Sequence, residues 1–216
     1  MMSLPLTEFR RASATQIISL GPRCSTSYNL RRYYNFNSAF PFDWWVTPEP
    51  ALIGILGRFD ADYLYDPAQL ERIASPNSVR HRDLGFLLHH EFPRIPGQPV
   101  VVDNFLDLIE TPKARSRYLI DKMKGLDRPG ERLLFIRETV TSSTELEAAL
   151  ARLFVHAEWC IQSIPHIPEA GFDWRCDMKV WDEVLGALGV QLDISRHKPF
   201  KEMTADEANA GFVVEA

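Results

Sequence analysis

The chain has 216 residues, a formal net charge of −5, 45% hydrophobic residues and 25% charged residues. This composition is typical of a globular protein with a sizeable core, and its charge gives no electrostatic argument for nucleic acid or an anionic membrane. No apolar stretch approaches the roughly 18 residues that span a bilayer, and the N-terminus lacks the pattern of a signal peptide, so no membrane partner is expected.

The three cysteines, Cys24, Cys160 and Cys176, lack the paired spacing of a disulfide framework or a zinc site. Unpaired cysteines favour a reducing compartment, and a cytoplasmic location is predicted. The histidines show no zinc-ligand spacing, and neither a phosphate-binding loop nor a dinucleotide-binding glycine motif occurs. We therefore expect neither a metal nor a cofactor.

The first strand–helix unit surrounds Cys24. Residues 16–20 are mostly β-branched or apolar and predict a short buried strand that Gly21 and Pro22 stop. A helix is expected after Cys24, so its thiol would lie at a helix N-terminus, where free N–H groups and the neighbouring Arg23 favour a thiolate. A reactive nucleophile and a small residue packing a tight turn both remain open at this point.

A long middle section, residues 36–130, is expected to be an insertion. It opens with an aromatic loop over residues 40–45, after which Thr47 and Pro48 would cap a helix. Residues 84–92 predict a strand, and a helix over residues 104–123 must bend or restart at Pro112.

Two further strand–helix units follow. Residues 132–137 form an apolar run typical of a strand covered on both faces, and Ser142 with Glu145 has the spacing of a capping box for the next helix. A third strand near residues 158–164 precedes a helix near residues 178–188, with Gly189 as its stop. The alternation predicts a single α/β domain over residues 1–216, built as a three-layer, mostly parallel sheet with helices on both faces.

The carboxyl ends of parallel strands meet at one edge of a sheet, where open α/β folds bind their ligands. Cys24, Glu138 and the loop after Ile164 each follow a predicted strand. We therefore expect these three segments to meet at one edge.

A cysteine nucleophile needs a base, which a carboxylate or amide usually orients. His89 and His90 end an apolar run, and in a strand only one of them could face a given site. Both could instead be ordinary core or surface histidines. Asp43 could orient a histidine or cap the following helix.

Other polar residues follow the later strands. Arg137 could bind an anionic group, or could pair with Asp43 or Glu91 as part of the structure. His166 and Asp173, in the loop after the third strand, are weaker candidates. Cys160 is expected to be an inert core residue, and Cys176 is undecided.

Four segments match the pattern of a known family in order. They are Ser19-Leu20-Gly21-Pro22-Arg23-Cys24, Pro41-Phe42-Asp43-Trp44, His90-Glu91-Phe92 and Phe135-Ile136-Arg137. Over roughly residues 17–137 the chain resembles an uncharacterised bacterial family labelled papain-like cysteine peptidase. The resemblance implies Cys24 as nucleophile, His90 as base and Asp43 as third member, with a papain-like α+β fold as the alternative architecture. Glu91 stands where the family has aspartate.

The leading hypothesis is a cysteine-dependent hydrolase, a peptidase, amidase or acyl-transfer enzyme, that acts on a peptide or a small molecule. Catalysis is assigned to Cys24, His90 and Asp43, and substrate binding to Arg23, Trp44 and Arg137. One alternative is an anion-, phosphate- or sugar-binding protein of glycan modification, in which the Cys24 loop holds the anion. Another is a non-catalytic binding module that uses the aromatic loop.

Overall fold

The computed structural model describes residues 3–75, 77–169 and 174–202. The α-helices of these ranges are α1 (Leu6–Phe9), α2 (Cys24–Tyr34), α3 (Glu49–Arg58), α4 (Ala61–Leu64), α5 (Glu110–Lys124), α6 (Thr144–Leu153) and α7 (Met178–Leu188). The strands are β1 (Gln16–Ser19), β2 (Leu70–Ala74), β3 (Asn77–His81), β4 (Leu87–Leu88), β5 (Arg132–Glu138) and β6 (Glu158–Ile164). Short 3₁₀ turns occur at Pro67–Gln69, Phe105–Leu108 and Ile194–Arg196.

A three-stranded parallel sheet has the order β1-β5-β6. Ile17 pairs with Leu134, and Leu134 pairs with Cys160, so the central strand β5 is bonded on both sides. Six of the seven residues of β5 are buried, and the four apolar ones among them are 0% exposed, as expected for a strand covered on both faces. The prediction of an α/β fold with parallel strands is confirmed.

Side chains of the sheet alternate between two hydrophobic clusters, as the two-residue period of a strand requires. Ile18, Phe135 and Ile161 lie in one cluster, which also contains the apolar stripes of α3 and α6. Ile17, Leu134 and Cys160 lie in the other, with residues of α2 and α7. The helices that follow the three parallel strands are thereby fixed against the sheet.

The middle section contains a second sheet that the sequence did not predict. Strands β2, β3 and β4 form an antiparallel meander in that order. The strand expected over residues 84–92 is reduced to Leu87–Leu88, because Gly85 adopts φ +74 and a turn follows directly at His89.

The helix expected over residues 104–123 is interrupted at Ile109, not at Pro112 as predicted. A 3₁₀ turn at Phe105–Leu108 precedes α5, and Pro112 occupies the first turn of α5, where a missing N–H costs no helical hydrogen bond. Thr47, by contrast, does not cap α3; Pro48 is the N-cap residue, and the Thr47 hydroxyl points toward the Leu20 carbonyl.

The cap of α6 lies one residue later than the sequence indicated. Ser143 is the N-cap, and its hydroxyl accepts a hydrogen bond from the Leu146 N–H at 3.2 Å. Ser142 instead bonds the Ser163 hydroxyl at 2.9 Å on β6. The capping-box assignment to Ser142 is therefore wrong.

Ser143→Ala is expected to lower the free energy of unfolding by about 1 kcal/mol, because a helix N–H loses its acceptor. Urea denaturation measures the change. In Ser142→Ala the cap of α6 is retained, and we expect a smaller loss. A larger loss in Ser142→Ala than in Ser143→Ala would contradict the assigned cap.

A buried carboxylate anchors the start of β5. Glu131 is 3% exposed and accepts hydrogen bonds from Thr15, Arg128 and Arg196. Burial alone would raise the pKa of Glu131, but the hydrogen bonds from Arg196, Thr15 and Arg128 outweigh it and lower this pKa to about 2.

The pKa of Glu131 is lower in the folded protein than the value of 4.5 expected in the unfolded chain, so the ionised carboxylate stabilises the fold fully above pH 4.5. This stabilisation is lost as the pH falls from 4.5 through about 2. Between pH 6 and pH 3 we expect the wild type to lose about 2 kcal/mol more unfolding free energy than Glu131→Gln, which cannot titrate at this position. Urea denaturation at the two pH values gives both losses. Equal losses in the two proteins would contradict the assigned pKa.

Among the described residues, no helix combines the length and the apolar character needed to cross a bilayer.

Candidate functional site

The carboxyl ends of the three parallel strands meet at one edge of the sheet, as predicted. The Glu138 N–H donates to the Gly21 carbonyl at 3.3 Å, and the Thr139 N–H donates to the Ile164 carbonyl at 2.9 Å. The segments after β1, β5 and β6 are therefore joined by backbone hydrogen bonds. We call the group formed by Arg23, Cys24, Glu138 and His166 the strand-end site.

Cys24 is the first residue of α2 and is half-buried, and the backbone N–H groups of Cys24 and Ser25 act on its sulfur. The predicted junction of strand end and helix N-terminus is thus confirmed. The expected thiolate is not. Burial raises the pKa of Cys24 to about 11, against the lowering effect of the two N–H groups and of the Arg23 cation.

The turn that presents Cys24 depends on glycine. Gly21 has φ +78, and a Cβ atom added there would overlap the Thr47 hydroxyl. Arg137 stabilises the same turn, because its guanidinium donates to the Leu20 carbonyl and, at 2.9 Å, to the Thr47 carbonyl. Its side chain is 4% exposed, and its Nε lies 3.4 Å from Glu49. The N–H groups of Arg137 are thus engaged by groups of the protein, so few of them are free to bind the substrate that the sequence assigned to this residue.

A buried carboxylate organises the other side of the strand-end site. The Glu138 side chain is 1% exposed, and its Oε1 lies 2.5 Å from Arg23 Nη2 and 2.7 Å from His166 Nδ1. The same oxygen accepts the Ile167 N–H at 3.1 Å. Arg23 also donates to the Ile167 carbonyl at 2.8 Å, and its Nη1 lies 3.9 Å from the exposed Glu169. Glu138 therefore holds together the segments that follow β1 and β6.

Asp43 lies at a different place, beneath α2. It forms an ion pair with Arg31 and accepts the Phe40 N–H at 2.8 Å, with 3% of its side chain exposed. This arrangement closes the aromatic loop onto α2. It neither caps α3 nor, among the described residues, brings Asp43 into hydrogen-bond contact with a histidine.

His90 packs in an aromatic environment. Its ring meets Trp44 edge-on with centroids 5.5 Å apart and meets His89 at 4.9 Å. Burial, together with the neighbouring His89 and Arg94, lowers the pKa of His90 to about 4. Within the described ranges, His90 has no hydrogen bond to Cys24 or to a carboxylate. His89 and His90 lie in a turn rather than in a strand, so their side chains need not point to opposite faces of a sheet as expected.

A scan of the chain against protein-family models, a search of curated proteins and a search of solved structures each find no match. The resemblance to the papain-like cysteine peptidase family therefore stays a prediction.

Trp44 is half-buried between His90, Trp174 and the Arg31 guanidinium, whose Cζ lies 6.0 Å from the ring centroid. The neighbouring aromatic residues Phe40, Phe42 and Trp45 are 2%, 0% and 1% exposed, so most of the aromatic loop belongs to the core. The loop thus offers little apolar surface to a partner.

The two other thiols are buried. Cys160 is 1% exposed in the middle of β6, where burial raises its pKa to about 11. Cys176 is 3% exposed and adopts φ +63, and its thiol donates to the Trp174 carbonyl at 3.7 Å. The carbonyl of the preceding Arg175 accepts a hydrogen bond from Asn29 of α2 at 2.8 Å. A positive φ is unusual for a residue with a side chain, so the backbone is strained at Cys176.

In the described part of the chain, no group of three histidine, cysteine or carboxylate side chains could hold a metal ion.

Sequence reasoning ranked Glu138 and His166 below the residues of the family motif. The signal that could have ranked them higher is their position, since Glu138 ends one parallel strand and His166 follows the end of another. Asp173, the other weak candidate, lies outside the described residues.

Proposed function

We propose that the protein is a cysteine-dependent hydrolase or acyl-transfer enzyme with Cys24 as its nucleophile. The observation that carries the proposal is the position of Cys24, at the first residue of α2 and at the carboxyl edge of the parallel sheet, with two backbone N–H groups beside its sulfur. The same kind of donor stabilises the oxyanion that forms when a carbonyl group is attacked.

A pKa of about 11 keeps Cys24 protonated at neutral pH. The thiol must therefore lose its proton as the sulfur–carbon bond forms, which requires a general base. The bond to the leaving group then breaks, the leaving group takes up a proton, and a thioester remains on Cys24. Water hydrolyses this thioester, or another nucleophile accepts the acyl group.

Two observations weigh against the anion- or sugar-binding alternative. The guanidinium of Arg23 already faces Glu138 and Glu169, and that of Arg137 is directed at two backbone carbonyls and Glu49. The two arginines that would bind an anion are therefore already paired with carboxylates or backbone carbonyls of the protein. The binding-module alternative is weakened in turn by the burial of the aromatic loop.

Hydrolysis of p-nitrophenyl acetate and of the thioester S-acetyl-N-acetylcysteamine tests the proposal. Cys24→Ser is expected to lower kcat/KM at least about a thousandfold, because the nucleophile is removed. Cys160→Ser is the matched control, since it changes a cysteine far from the strand ends. Unchanged rates in a folded Cys24→Ser protein would refute the proposal.

We also propose a cytoplasmic location, a small-molecule or peptide substrate, and a three-layer arrangement of the parallel sheet. The three free cysteines support a reducing compartment. The two hydrophobic clusters, one on each side of the sheet, support the layers.

A further inference from the structure

We infer that His166 is the general base for Cys24 and that Glu138 is its positioning residue. The inference rests on the proposed function and names the group that removes the thiol proton. It assigns this role to a histidine in the loop after β6 rather than to His90.

The carboxylate of Glu138 is placed to orient an imidazole. Its side chain is 1% exposed, and Oε1 lies 2.7 Å from His166 Nδ1, while the His166 side chain is 70% exposed. A buried carboxylate that bonds one ring nitrogen and leaves the other toward solvent is the usual support of a catalytic histidine.

The same contact determines the tautomer of His166. An unprotonated Nδ1 would point its lone pair at a carboxylate oxygen only 2.7 Å away, so the neutral ring carries its hydrogen on Nδ1. Arg23 Nη2 lies farther from Nδ1, at 3.3 Å, and donates to Glu138 and the Ile167 carbonyl instead. Nε2 therefore keeps its lone pair and can accept a proton.

The Glu138–His166 pair contacts two side chains at the start of α2. Arg23, the residue before Cys24, approaches His166 directly. The other oxygen of Glu138 lies 3.5 Å from the Thr26 hydroxyl, and Thr26 is only about 3 Å farther along the helix axis than Cys24. These contacts place the Glu138–His166 pair at the end of the helix that presents the thiol.

His90 is less suited to the role. Its pKa of about 4 makes it a weak base, and within the described ranges no carboxylate orients its ring. A base with so low a pKa has little driving force to take a proton from a thiol whose pKa is about 11.

In the proposed step, Cys24 Sγ bonds to the carbonyl carbon of the ester as its proton passes to His166 Nε2. The imidazolium is then stabilised by Glu138. The carbon–oxygen bond of p-nitrophenyl acetate breaks and releases p-nitrophenolate, His166 returns its proton to solvent, and an acetyl thioester remains on Cys24. Water then attacks the thioester carbon and gives up one proton to His166. The carbon–sulfur bond breaks, His166 passes that proton to the sulfur to restore the thiol, and acetic acid leaves and ionises in solvent.

His166→Ala tests the inference, because so exposed a side chain can be removed without harm to the fold. We expect the rate of acetylation by p-nitrophenyl acetate to fall about a hundredfold or more, and added imidazole to restore part of it. The exposed His156, which precedes β6 at the opposite end of the sheet, gives the matched control His156→Ala. An unchanged rate in His166→Ala, or a fall that imidazole does not relieve, overturns the inference.

Glu138→Gln tests the positioning role, with the exposed Glu169→Gln as control. We expect Glu138→Gln to slow acetylation in the wild-type background and to have no further effect in the His166→Ala background, since a positioning residue acts only through its partner. An equal slowing in both backgrounds would show a structural role and overturn that part of the inference. Loss of activity in Cys24→Ser with full activity in His166→Ala would leave the proposed function standing and reject only the base.

Discussion

Asp43→Ala is expected to lower the free energy of unfolding by about 3–5 kcal/mol, because it leaves the Arg31 cation buried without its partner. The side chains of the two residues are only 3% and 8% exposed, so water cannot replace the lost carboxylate. In a chain of 216 residues this loss corresponds to a fall in Tm of roughly 6–20 °C. Differential scanning calorimetry measures it.

Asp103→Ala is the control for this prediction. Asp103 also pairs with an arginine, Arg72, but its side chain is 83% exposed. An exposed ion pair contributes about 0–1 kcal/mol, so this variant should melt close to the wild type. If Asp43→Ala kept full stability yet lost acyl transfer, Asp43 would be catalytic, as the family resemblance implies, and the structural role would be refuted.

Cys24 is expected to react slowly with iodoacetamide at neutral pH. Raising its pKa from 9.0 to about 11 lowers the fraction of thiolate about a hundredfold. A more basic thiolate is also a better nucleophile, and this raises the reactivity of each thiolate about tenfold. The net rate at pH 7 should be about a tenth of that of the same cysteine in urea. Peptide mapping after timed alkylation separates Cys24 from Cys160 and Cys176.

The pH dependence of alkylation gives the sharper result. Only the thiolate reacts, so the rate should rise about tenfold per pH unit from pH 7 to pH 10 without a plateau. A plateau below pH 8 would mean a lowered pKa. It would show that the helix N-terminus and Arg23 outweigh the burial of the sulfur.

The parallel sheet could be predicted because local sequence patterns determine it. The apolar run of β5, the amphipathic stripe of α6 and the stop at Gly189 each depend on residues close in the chain. The small antiparallel sheet was missed because β2 and β3 are short and contain mostly polar and charged residues, with one or two aliphatic side chains larger than alanine in each. Their pairing depends on contacts with the middle section rather than on a strong apolar pattern.

The strand-end site could be predicted in part. The topology of parallel strands was enough to place Cys24, Glu138 and the loop after β6 together. The pKa of Cys24 was predicted in the wrong direction, because the depth at which a sulfur is buried depends on residues distant in sequence. The partner of Asp43 was missed for a related reason. Arg31 lies on α2, 12 residues before Asp43, and only the folded loop brings the Asp43 carboxylate to its guanidinium.

Mass spectrometry of the protein after brief exposure to p-nitrophenyl acetate at neutral pH shows whether Cys24 becomes acylated. A cysteine at the strand edge that acts as a nucleophile should carry one acetyl group, located at Cys24 by peptide mapping and removed on further incubation. Acetylation confined to surface lysines, with Cys24 unmodified in the native protein, would contradict a nucleophilic role of Cys24.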